Sequence, residues 1–85
     1  MTVSVPIPLN RVAPGCARIV AWVDGPDRPE LEREGVLPGS IVKVAARTPL
    51  GGPLVVELGR ARLALSTRVA AQVQTLSRPE PTDEP

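Results

Sequence analysis

Apolar positions along this chain fall into short runs, each cut off by proline, glycine or charge. The clearest pair is Leu54-Val55-Val56-Glu57-Leu58 and Ala61-Arg62-Leu63-Ala64-Leu65, with Gly59-Arg60 between them. A two-residue loop with glycine first suits a type II′ turn and predicts a β-hairpin. That loop sets Leu58 against Ala61, Val56 against Leu63 and Leu54 against Leu65 on one side, and Glu57 against Arg62 on the other. An apolar face and an opposite-charge pair thus come from one register, and a slip of one residue would lose both.

Upstream, Cys16–Val23 reads as a strand of β-branched character, with Ile19, Ala21 and Val23 on one face and Arg18, Val20 and Trp22 on the other. Ser40–Arg47 reads as another, with Val42, Val44 and Ala46 sharing a face. Between them, Asp27-Arg28-Pro29-Glu30 has the form of a helix start, with Asp27 as cap, Pro29 in the first turn and Glu30 at the capping-box position. This helix stops at Gly35 and is too short to stand alone, so it must dock through Leu31 and the Val36-Leu37 pair. Pro14-Gly15, Pro38-Gly39 and Thr48–Pro53 read as turns or loops. A further turn of helix is expected from Ser66 or Thr67, followed by a short closing strand around Gln74–Leu76.

The sum is a mostly β domain of about five short strands with one short helix inserted after the first. Open edges are a liability in so small a sheet, and closure reduces them, so the expected fold is a small SH3-like, partly closed barrel. The domain is expected over residues 9–77, preceded by an extended lead-in (1–8, broken by Pro6 and Pro8) and followed by a disordered Pro- and acid-rich tail (78–85).

Composition narrows the function. Ten basic and nine acidic residues give a net charge of +1, too balanced for nucleic-acid or anionic-membrane binding by bulk charge. Apart from Trp22 there is no aromatic side chain, so neither base stacking nor a polyproline groove has its usual lining. With no histidine and the single Cys16, the commonest general base, the commonest metal ligand and any internal disulfide are missing. Serines, threonines and carboxylates form no readable nucleophile–base arrangement. Glu30, Glu32 and Glu34 read as a solvated helix edge, not a metal site, and no cofactor is implied. No apolar run reaches membrane-spanning length, and the first residues lack a basic leader, so cytoplasmic residence without membrane insertion is the expectation.

Four features stand in order along the chain. Leu9 and Pro14-Gly15 come first, then Leu31 with Gly35-Val36-Leu37-Pro38-Gly39, then Val42-Lys43-Val44 leading to Pro49-Leu50-Gly51-Gly52-Pro53, and finally Glu57–Leu65. As a set over about residues 9–77 they resemble the FeoA family of ferrous-iron-transport accessory proteins. The resemblance implies an SH3-like barrel, related to the C-terminal module of diphtheria-toxin-repressor-type iron regulators. It also implies a partner, the FeoB membrane transporter, met on its cytosolic side, which would place the protein at the inner face of the membrane through that partner. It implies no iron site on the chain itself.

A binding module is therefore the expected function, either a transporter accessory or a generic SH3-like module, for protein or nucleic acid, unconnected with iron. The candidate surface joins the breaker-rich loop at Pro49, Leu50, Gly51 and Gly52, with Leu50 as an apolar anchor, to the helix end at Leu31, Gly35 and Leu37. Binding residues favour loops held by a rigid scaffold. Exposed edge strands leave weak self-association open.

Overall fold

The computed structural model describes residues 5–78; the expected tail therefore lies almost wholly outside the described residues. Six strands form one antiparallel sheet: β1 (Ile7–Pro8), β2 (Ala17–Val23), β3 (Ile41–Arg47), β4 (Leu54–Leu58), β5 (Ala61–Leu65) and β6 (Val73–Ser77). They are arranged in the order β1-β6-β2-β3-β4-β5. Helix α1 (Arg28–Arg33) follows β2, and the single turn α2 (Thr67–Ala70) follows β5. The added strand is β1. Ile7 and Pro8, the end of the extended lead-in, pair with Thr75 and Gln74.

The hairpin forms in the register its turn dictates, with Leu58↔Ala61, Val56↔Leu63 and Leu54↔Leu65 paired and Glu57 opposite Arg62. Gly59 has φ 63°, the sign that a two-residue hairpin turn requires at its first position. Leu54, Val56 and Leu65 are buried, and the Arg62 guanidinium donates to Glu57 at 3.0 Å on the outer side.

Two strands depart from simple alternation for the same reason. Between Val20 and Trp22 the β2–β6 register shifts, so Ala21 is an extra residue. Val20 and Val23 both reach the core, while Trp22 turns out. Between Val44 and Ala46 the β3–β4 register shifts likewise; Val42 and Val44 are buried and Ala46 is exposed. A bulge puts two residues opposite one and so inverts the face of everything beyond it.

Helix α1 is held differently from a capped helix. The Asp27 side chain makes no bond to the first turn. Instead, the Gln72 side-chain amide donates to the Asp27 carboxylate at 2.8 Å, and the Asp27 N–H donates to the Gln72 side-chain oxygen Oε1 at 3.0 Å. This reciprocal pair pins the helix entry to the segment before β6. In α2, by contrast, the Ser66 hydroxyl oxygen accepts from the Val69 N–H at 3.1 Å, an ordinary cap.

The sheet does not close by strand pairing, since β1 and β5 remain its two edges. The space between them is filled by α2 and the 3-10 turn Leu9–Arg11, which pack together around buried Leu9, Val12 and Ala70. Arg47 fixes that turn, its guanidinium donating to the Val12 carbonyl at 2.7 Å and also to the Asn10 carbonyl.

Candidate partner-binding site

The loop after β3 is built around a brace. The Thr48 N–H and hydroxyl both donate to the Pro53 carbonyl, at 3.1 and 2.6 Å, closing the loop at its base. The Thr67 hydroxyl reaches the Gly51 carbonyl at 3.4 Å and ties the loop to α2. Above the brace, Leu50 has φ 64° and ψ 34° in the left-handed region, and its side chain is fully exposed at 103%. A bulky residue in that region is an outlier whose cost, of order 1–2 kcal/mol, the surrounding structure must hold. Pro49 precedes it and Gly51-Gly52 follow, so the tip projects one large apolar side chain from a closed loop.

The helix-end residues have different surroundings. Leu31 is buried at 3% exposure and packs with the core, and it also floors the groove beside α1 described below. Gly35 ends α1 at φ 101°; a Cβ there would approach the Leu58 side chain at 3.1 Å, so any larger residue is both strained and crowded. Leu37 is exposed in the turn that leads into β3. That turn and the Leu50 loop lie at opposite ends of β3, whose seven residues span about 20 Å at roughly 3.3 Å each. The structure thus divides the candidate residues into two groups, Pro49–Gly52 at one end and Gly35 and Leu37 at the other.

A third feature was not legible in the sequence. A groove of about 250 Å³ runs between α1 and β5, with Leu31, Leu63, Leu65 and Val69 among its lining residues and Asp27, Glu30 and Glu34 along its helix side. Glu30 and Glu34 share a helix face, a spacing visible beforehand, but only the tertiary fold sets that face beside the edge strand. Glu32 points elsewhere, accepting from Arg28 at 2.9 Å. Among the described residues, no three potential metal ligands converge. Trp22, the single aromatic side chain, is 45% exposed and lines a depression with Val23, Arg28 and Pro38.

The FeoA domain model matches residues 7–75, nearly the whole described chain. This chain belongs to the FeoA family. The family ties it to ferrous iron transport, and its members are small accessory domains, not a known class of enzyme. A crystal structure of an iron uptake regulatory protein, FeoA, is 28% identical with a TM-score of 0.76, over 85% of this chain and 96% of that one. The zinc complex of Stenotrophomonas maltophilia FeoA, described as a prokaryotic SH3 domain protein, is 24% identical with a TM-score of 0.70, over 87% of this chain and 89% of that one. A manganese-dependent transcriptional repressor shares the fold at 20% identity and a TM-score of 0.79; this chain covers 91% of its own length but only 44% of the repressor's. No curated protein matches the chain in sequence. The SH3-like fold expected from the sequence is thus the fold of the FeoA family, with the sheet left open. Among the described residues no helix is long and apolar enough to cross a membrane.

Proposed function

We propose that the protein is a cytosolic accessory of ferrous iron transport that docks on an FeoB-type transporter through the Leu50 loop. The observation that carries this reading is the fully exposed Leu50 side chain, held at positive φ by a braced loop. Backbone strain that a structure goes out of its way to maintain points to a function for the side chain it presents. A pre-set loop also loses little conformational freedom on binding. The S. maltophilia relative, proposed as a ferrous iron transport activating factor, supports the transport context.

Docking at the Leu50 end leaves Gly35 and Leu37, about 20 Å away, to a second contact with the same large partner or to none. Titration against the transporter's cytosolic domain and against the full-length transporter in detergent should show saturable binding. Leu50→Asp should weaken it by about tenfold or more, the loss expected of a central apolar anchor, without lowering the unfolding midpoint, since aspartate tolerates the left-handed region better than leucine. Undiminished affinity of the Leu50→Asp protein would remove the loop from the interface; no binding to either form would sink the transporter reading.

A further inference from the structure

The hairpin register determines which backbone groups of β5 face outward. In a two-residue hairpin the residues flanking the loop exchange both hydrogen bonds, and hydrogen-bonded pairs alternate with non-bonded ones. Leu58↔Ala61, Val56↔Leu63 and Leu54↔Leu65 are therefore the bonded pairs. The N–H and C=O groups of Arg62 and Ala64 point away from β4, and β5 is the last strand of the sheet. The opposite edge is blunted, because β1 is two residues long and one of them is Pro8. On β5, Arg62 and Ala64 are exposed, although α2 packs against the strand.

The groove beside α1 abuts this edge. Leu63 and Leu65 line it, and so does Ala64 between them, whose side chain belongs to the other face of the sheet. The strand thus turns its edge, not only one face, to the cavity. At about 250 Å³ the groove is smaller than the roughly 300–1,000 Å³ of drug-sized pockets. It suits side chains delivered by an extended segment.

Charge selects the segment. Asp27 is already engaged by Gln72, while Glu30 and Glu34 have no ion-pair partner among the described residues. The chain's own tail carries Glu80, Asp83 and Glu84, the same sign as the groove wall. A second copy is also a poor match. Pairing of two β5 edges can use only Arg62 and Ala64 on each, so directly opposite residues keep the same parity and share a face. The incoming strand would then send Leu63 and Leu65 into the groove and its Arg62 to the far side, leaving both glutamates without a cation.

We propose that the β5 edge and the α1 groove form a docking site for an extended segment of another protein. This segment adds antiparallel to β5 and alternates basic and apolar side chains on its groove-facing side. Backbone pairing with Arg62 and Ala64 holds the segment. Its apolar side chain covers Leu63 and Leu65, and lysine or arginine stems lie along the same surface with their charges at Glu30 and Glu34. The site uses none of the Leu50 loop residues and does not depend on the partner being a transporter.

The probe is an acetylated and amidated peptide, Thr-Lys-Thr-Leu-Thr-Lys-Thr, whose Lys, Leu and Lys share one face when extended. Titrated to saturation or to millimolar concentration and followed by amide NMR, it should shift β5 and α1 resonances and slow hydrogen exchange at the Arg62 and Ala64 amides. Replacing both peptide lysines by glutamate should weaken binding by about tenfold or more, and so should Glu30→Lys with Glu34→Lys, two exposed changes that leave the fold intact. Absent shifts at the highest peptide concentration, or equal binding of the glutamate peptide, would overturn the proposal. Exchange protection at Arg62 and Ala64 that grows with protein concentration in the absence of peptide would overturn it in favour of a second copy.

Discussion

Thr75 is the one buried polar residue among the described ones, and its hydroxyl is used twice. It donates to the Ile7 carbonyl at 2.7 Å and accepts from the Arg18 guanidinium at 3.1 Å. A second nitrogen of Arg18 donates to the Thr75 carbonyl at 3.1 Å. One side chain therefore joins β1, β6 and β2. Thr75→Val keeps the shape but leaves the Ile7 carbonyl and an Arg18 donor short of a partner. The expected loss is about 1–3 kcal/mol, read from urea unfolding with an unchanged slope. Little of this was visible beforehand, because a threonine in a strand looks the same whether it faces water or completes a network across residues far apart in sequence. The inward valines were legible wherever alternation ran unbroken. Alternation puts Val20 on one face with Trp22, because a one-residue bulge leaves no mark in a run such as Ile19-Val20-Ala21-Trp22.

At the level of elements, the β4–β5 hairpin was readable in full because its turn is two residues long and local chemistry fixes it. Helix α1 was readable in place but not in attachment. The start signal at Asp27 was present, yet that carboxylate serves Gln72, a residue 45 positions away. With a single buried side chain, α1 depends on Leu31 for its seat. Leu31→Ala should cost about 2–5 kcal/mol in global stability. Among native-state amides, those of α1 should show the largest acceleration of exchange; equal acceleration across the sheet would mean that the helix is not the element Leu31 holds. The Leu50 loop was predicted as a loop, and the composition Pro-Leu-Gly-Gly-Pro made it a candidate tip. Its brace from Thr48 to Pro53 and the left-handed Leu50 backbone arise from the closed geometry and could not be read from composition.

For the whole molecule, the expectation of closure identified the physical problem, and the chain solves it by other means. Helix α2 and the Leu9–Arg11 turn fill the gap between the edges, and the two-residue β1 extends the sheet beyond β6. Removing residues 1–8 should therefore destabilise the domain by about 1–3 kcal/mol, since the Thr75 hydroxyl loses its acceptor and the edge of β6 is bared. Circular dichroism melts of the shortened and full chains would measure the difference; identical midpoints would show that β1 contributes nothing to stability. The grouping of candidate residues also belongs to this scale. Leu50 and Leu37 are close in sequence, but a strand lies between them, so one sheet length sets the minimum span of any partner that touches both.

The strand order has a consequence for how the chain acquires its fold. β6 is last in sequence but lies between β1 and β2, the first two strands. Until it arrives, those strands share no ladder, and Val20 and Val23 have no neighbour on that side. The β2–β3–β4–β5 meander can assemble in sequence order during synthesis, while β1 waits for residues more than sixty positions away, as the Ile7↔Thr75 pair shows. Such long-range pairing slows folding towards the millisecond-to-second range. Without β6, only the four strands β2 to β5 can pair, and the β2 edge stays open.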